Sequence, residues 1–128
     1  MVSGAETNIR PVVLVVEDEA IIRMLLADAM EDAGFTVVEA SNADAAVAEC
    51  LLRKDIGAVV TDVRMPGSMD GIGLAGWMHK NRPDIPIIIC SGMDTKVDFR
   101  AANPAIAHVV SKPYMPNDLA DLVAALIR

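Results

Sequence analysis

Five short apolar runs, each followed by a stretch of helical periodicity, constrain this chain more than any other feature. The runs lie at residues 12–16, 36–39, 58–61, 87–90 and 109–111, recurring roughly every 25 residues. After the first, Ile22, Leu25, Leu26, Ala29 and Ala33 repeat at helical spacing, and Gly34 supplies a stop. Asn42 is placed to cap a helix carrying Ala46, Val47, Cys50 and Leu51. A loop over 65–71 leads into a helix with Leu74, Trp77 and Met78, and Pro83 and Pro86 bracket the next turn. Between 93 and 107 the pattern is weakest: Val97 and Ala101 suggest a helix that Asn103-Pro104 cuts short. Pro116 opens a last helix, with Leu119, Leu122, Val123 and Leu126 on one face.

Strands that read as nearly unbroken apolar runs belong in a parallel sheet covered on both faces. With right-handed crossovers, five βα units give an α/β fold. A doubly wound five-stranded parallel sheet in the order 2-1-3-4-5 fits best. Strands 1 and 3 are then neighbours at the switch point, where such sheets bind ligands beyond the carboxyl ends of their strands. The length of 128 residues fits one domain over 11–128, with 1–10 as a short flexible lead-in. The last helix runs to the end of the chain, so a stand-alone domain is expected.

The residues that leave these strands share a chemistry. Glu17 and Asp18 follow the first run, Asp62 the third and Ser91 the fourth, while Lys112 follows the fifth and precedes Pro113. In a parallel sheet they converge at one edge. Three crowded carboxylates repel one another unless a proton or a cation intervenes. Mg2+ suits an all-oxygen set and commonly shares its shell with a phosphate. Calcium would need more ligands than the sequence offers here, and zinc would need His or Cys. Asp62 is then placed to act as a nucleophile toward phosphorus. Lys112 is placed to pair with a phosphoryl oxygen. The Ser91 hydroxyl and the backbone amides of Val63 and Gly92 can donate to others.

Taken singly, each piece has a plainer reading as a helix cap, a turn residue or a strand-exit bend. The joint occurrence in strand order is what points to a shared pocket. The net charge of −7 argues against nucleic-acid binding, and no run approaches the length of a membrane span. Cys50 and Cys90 sit in apolar surroundings without a Cys-x-x-Cys pattern, which fits reduced thiols in the cytoplasm.

In these residues the sequence resembles the receiver domains of two-component response regulators. The resemblance spans nearly the whole chain. It rests on Val-Val-Glu-Asp-Glu at 15–19, Thr-Asp-Val-Arg-Met-Pro at 61–66, Met-Asp-Gly at 69–71, Ser-Gly at 91–92 and Lys-Pro-Tyr at 112–114. It implies a flavodoxin-like fold and Mg2+-dependent phosphorylation of an aspartate by a sensor histidine kinase or a phosphotransfer protein. Such a domain is a signalling phosphoacceptor rather than an enzyme with a separate substrate, and its changed surface addresses a downstream protein. Asp62 matches the phosphoacceptor, Asp18 the direct metal ligand and Glu17 its acidic neighbour. Arg64 matches the residue that lends a backbone carbonyl to the metal. Ser91 matches the mobile hydroxyl and Lys112 the ammonium partner, whose bond to Pro113 is usually cis.

Three departures stand out. The family's switch aromatic falls at Val109, with His108 beside it as a candidate stand-in or simply an exposed edge-strand histidine. The 65–71 loop is one residue longer through Gly67-Ser68. The 93–107 segment is short for the fourth helix, which with the fifth strand and fifth helix forms the expected route to a homodimer. Tyr114 reads as a packing residue rather than a relocated switch ring. A phosphatase of the haloacid-dehalogenase type would need an acid where Arg64 stands. A flavin-binding electron carrier would need a phosphate loop where Glu17-Asp18-Glu19 stand.

Overall fold

The computed structural model describes residues 11–92 and 103–127. Strands β1 (Val12–Val16), β2 (Thr36–Ala40), β3 (Ile56–Asp62), β4 (Ile87–Ser91) and β5 (Ile106–Ser111) alternate with helices α1 (Ala20–Asp32), α2 (Ala43–Leu52), α3 (Gly71–Asn81) and α4 (Pro116–Ile127). All strand pairs are parallel, and the sheet order is β2-β1-β3-β4-β5. This is the doubly wound, flavodoxin-like topology expected from the sequence. The lead-in expected at 1–10 lies outside the described residues, as does most of the helix expected at 93–107. Among the described residues, no helix is long and apolar enough to cross a membrane.

Side-chain alternation divides the core into two layers. Val12, Leu14 and Val16 of β1 face α2 and α3, where they meet Ala46, Leu74 and Met78. Val13 and Val15 face the opposite way, onto Leu26 and Met30 of α1 and Leu119 and Val123 of α4. A chain with only 3% aromatic residues thus fills both layers mostly with aliphatic side chains, sulfur and alanine, with Phe35 the buried ring of the second layer. Leu122 and Leu126 are only partly buried against the second layer, which leaves the α4 stripe half wet at its rim.

Local chemistry explains the helix ends. Asn42 Oδ1 accepts from the Ala45 amide at 2.7 Å, as its capping position predicted. Gly34 ends α1 at φ +99°, while the amide of Phe35 reaches back to Met30 O at 3.1 Å. A left-handed residue is required there, and glycine supplies it without steric cost.

The strands run longer than the apolar runs alone indicated. β3 begins two residues earlier and takes in Asp62, β4 takes in Ser91, and β5 begins at Ile106 rather than at 109. The cause at β5 is a turn rather than a helix at 103–105. Asn103 Oδ1 accepts from the Ala105 amide at 2.9 Å, and Asn103 O accepts from the Ile106 amide at 3.1 Å. The β4–β5 pairing then shifts register between Ile87 and Ile88, absorbing Ala107.

Leu14 is fully buried at the centre of the sheet. Leu14→Ala should lower the unfolding free energy by about 3 kcal/mol, the usual result of losing a buried leucine and leaving a cavity. Urea unfolding followed by circular dichroism measures it.

Candidate metal and phosphoryl site

The carboxyl edge of the sheet collects the side chains that the strand ends carry. Glu17, directly after β1, is only 2% exposed, although it is a carboxylate. Asp18 is exposed next to it, and Asp62 stands at the end of β3. One carboxylate oxygen from each lies within 4.8 Å of the others. Facing them, Lys112 Nζ pairs with Asp62 Oδ2 at 2.9 Å. The other Asp62 oxygen, Oδ1, accepts from the Val63 amide at 2.8 Å. That amide also reaches Cys90 O at 3.1 Å, so it serves the strand end as well as the carboxylate. Ser91 is buried, and its carbonyl accepts from the Lys112 amide at 2.8 Å, tying the hydroxyl-bearing strand to the lysine. Gly92 is exposed, and a Cβ there would meet Lys112 Cδ at 3.4 Å. The Lys112–Pro113 bond is cis.

The loop after Asp62 is pinned at both ends. The Gly71 amide donates to Val63 O at 2.8 Å, bringing the start of α3 onto the strand end. A Cβ on Gly71 would collide with Asp62 O and crowd the Val63 Cα, so the close approach requires glycine. Asp70 caps α3 by accepting from the Gly73 amide at 2.8 Å. In the longer part of the loop, Gly67 adopts φ +108° and the Ser68 hydroxyl donates to Asp44 Oδ2 at 3.1 Å. Arg64 is exposed on this loop, next to the acids in sequence.

The electrostatics follow from three acids sharing one lysine. Burial raises the Glu17 pKa. A bond from the Glu19 amide to Glu17 Oε2 at 3.0 Å works against this, and the negative neighbours Asp18 and Asp62 add to the rise. Burial alone would lower the Lys112 pKa, but its bond to Asp62 and the charges of Asp62 and Glu17 outweigh that and raise it. Burial, with the Asp62 charge beside it, pushes the Cys90 thiol up to about 12 and keeps it protonated. The donor set fits Mg2+ on these observations. It is all oxygen, it is partly open through Asp18, and its negative charge exceeds what one ammonium can offset.

The two switch positions resolve differently. Strand pairing aligns Val109 with Ile89 and His108 with Ile88. By alternation Val109 shares the face of Ser91, whereas His108 lies on the opposite face with Ile88 and Cys90. His108 therefore does not share a face with Val109 and Ser91, and it is half-buried rather than exposed. Tyr114 packs against the second core layer, as expected of a structural residue. It also lines a cavity of about 600 Å³ beside the site, with Ile22, Leu25, Gly92 and Lys112.

The sequence reading passed over one pair. Arg23 Nη1 donates to Glu17 O at 2.8 Å, while its Nε donates to Glu39 Oε1 at 3.1 Å. Arg23 reads as a solvated helix residue and Glu39 as a strand-end charge. Only the β1–β2 pairing makes them neighbours.

The chain matches the response regulator receiver domain family over residues 13–124. It belongs to that family. Phosphorylation and Mg2+ binding are general among receiver domains, which act with histidine kinases in two-component signalling. An NtrX-like response regulator of Rickettsia bellii is 34% identical over 113 residues, covering 87% of this chain and 23% of that protein. The chain thus spans about a quarter of the length of such relatives. A receiver domain from Clostridium thermocellum superposes with a TM-score of 0.83 at 24% identity, covering 91% of this chain and 94% of that one, and shares the fold. The response regulator TrrA of Thermotoga maritima, solved with Mg2+-BeF, superposes with a TM-score of 0.79 at 26% identity, covering 91% and 98%.

Two consequences can be measured. Because burial raises the Glu17 pKa, the folded chain holds that proton more tightly than the unfolded chain does. With metal removed by chelator, stability should rise as pH falls through the raised value and be lowest above it. Glu17→Gln should add about 1 kcal/mol at pH 7 and flatten that rise. Urea titrations across pH 5–8 test both. Gly71→Ala should cost about 2 kcal/mol through the clash with Asp62 O, read by the same unfolding assay.

Proposed function

We propose that Asp62 accepts a phosphoryl group from a phosphohistidine carried by a sensor histidine kinase or a phosphotransfer protein. In this reading Mg2+ is held by Glu17, Asp18, Asp62 and the backbone carbonyl of Arg64. The observation that carries it is the approach of three carboxylates within 4.8 Å, with Lys112 Nζ 2.9 Å from Asp62 Oδ2. When bound, Mg2+ supplies the positive charge that the three acids and an incoming phosphoryl group together demand.

An Asp62 oxygen forms a bond to phosphorus as the phosphorus–nitrogen bond breaks, and the departing imidazole keeps the electron pair and takes up a proton. The Val63 amide holds one carboxylate oxygen in place during the attack. Lys112 stays beside the other and pairs with a phosphoryl oxygen. The Ser91 hydroxyl and the Gly92 amide donate to the remaining oxygens, and the Val63 amide can shift to them. Asp62 is itself the group modified and later restored by hydrolysis, so the domain acts as a signalling acceptor rather than as an enzyme with a separate substrate.

The donor must approach this edge. Leu25, exposed in the wall of the neighbouring cavity, and exposed Ile21 and Met24 on the same helix support docking there. Phosphorylation then shifts a pre-existing equilibrium, with Ser91 moving toward the phosphoryl group and Val109 following on the same face without an aromatic lever. A downstream protein reads the altered surface. Val109 is exposed on the edge strand β5, which supports contact there with a target or with a second copy of the chain. The unit is taken as residues 11–128. Two free, buried thiols fit a reducing, cytoplasmic setting.

Incubation with Mg2+ and acetyl phosphate should add one phosphoryl group by intact mass, and Asp62→Asn should abolish the gain. A gain that survives in the variant, or no gain in the parent protein, would defeat the proposal. Asp18→Ala should weaken Mg2+ binding by about tenfold or more, as read by isothermal titration.

A further inference from the structure

The Arg23 side chain belongs to no part of the chemistry described above, yet both its hydrogen bonds bear on the acidic edge. Its Nη1 donates to the carbonyl of Glu17 at 2.8 Å, and its Nε to Glu39 Oε1 at 3.1 Å. It is only 20% exposed, so it is held against the fold rather than waving in solvent. The Glu17 carbonyl belongs to the peptide unit that joins Glu17 to Asp18. Fixing that oxygen fixes the plane of the peptide and so the position of the Asp18 Cα.

The same residue is restrained from its other sides. The Glu17 amide donates to Ala40 O at 3.0 Å, and the Glu17 carboxylate accepts from the Glu19 amide at 3.0 Å. Asp18 is hydrogen-bonded to the Glu17 side chain, and its carboxylate is the exposed member of the acidic triplet. Its aim therefore rests on Glu17, through that side chain and through the peptide that joins the two residues.

We infer that Arg23, anchored by Glu39, is a positioning residue that orients the Glu17–Asp18 peptide so that the acidic pair is set for a divalent cation. This deepens the reading of the site as a Mg2+ centre and rests on it. Charge and geometry pull in opposite directions here, which makes the inference testable by sign. A guanidinium near three carboxylates repels a second cation, so removing it should tighten Mg2+ binding if its charge were what counted. Its pairing with Glu39 sets a negative charge beside the guanidinium and offsets part of that repulsion. Losing the clamp frees the peptide and should weaken binding by about tenfold, in the range seen when groups supporting a metal ligand are removed.

The test is isothermal titration of Mg2+ into the metal-free full chain and its Arg23→Met and Arg23→Lys variants, well below their unfolding temperatures. The Met variant should bind about tenfold more weakly. The Lys variant keeps the charge but cannot span both partners, so it should fall between. At saturating Mg2+ the rate of phosphorylation by acetyl phosphate should return close to the parent value, because the clamp serves cation binding and not transfer. Equal or tighter Mg2+ binding by the Met variant overturns the inference, as does a phosphorylation rate that stays low at saturation. Should the Met variant fail to fold by circular dichroism, the Lys variant decides, and an unchanged affinity there overturns the role. A parent chain that binds no Mg2+ removes the site reading itself, whereas a parent that binds and variants that match it remove only the role of Arg23.

Discussion

Three carboxylates crowded at one sheet edge against a single lysine are the interaction on which the rest of this structure turns. Placing Glu17 out of water beside Asp18 and Asp62 is unfavourable in the metal-free chain, because burial and like charge both oppose ionisation. The fold holds them there because the two core layers, packed with aliphatic side chains on either side of β1 and β3, stabilise the sheet regardless of what its edge carries. Affinity for a divalent cation and a phosphoryl group is the other side of that local destabilisation. An edge that satisfied its own charges would have no use for either.

The surroundings are built to keep the edge in shape without neutralising it. The Val63 amide and Lys112 hold the two oxygens of Asp62, Ser91 O holds the backbone of Lys112, and Gly71 lets α3 close against the end of β3. These contacts join the ends of β3, β4 and β5 through short hydrogen bonds. On the sheet face that carries Ser91, β5 presents Ser111 beside Ser91 and Val109 beside Ile89, both too small to swing as a ring would.

Much of this was legible in the residues. The parallel sheet, its order and the meeting of Glu17, Asp18, Asp62, Ser91 and Lys112 follow from apolar runs of strand length ending in polar groups. The Asn42 cap and the Gly34 stop were equally local. The start of β5 was misjudged because Asn103 and Pro104 make a turn by side-chain hydrogen bonding, a feature that hydrophobic pattern does not encode. That His108 faces away from Val109 follows from strand alternation alone, but its half-burial depends on what packs over that face and is set by the tertiary fold.

What the sequence determined by itself is therefore whatever depends on short-range periodicity: strand and helix identity, the covered parallel sheet, and the chemical kind of each group at its carboxyl edge. What only the tertiary structure decided is whatever depends on two distant segments lying side by side. The burial of Glu17, the closure of Gly71 on Asp62 and the bridge from Glu39 through Arg23 to the Glu17 carbonyl all belong to that class. The physical reason is that a hydrogen bond or a desolvated charge is set by distances of a few ångströms across the sheet. The pattern along a chain specifies which faces must be hidden, but not which polar atoms meet once they are.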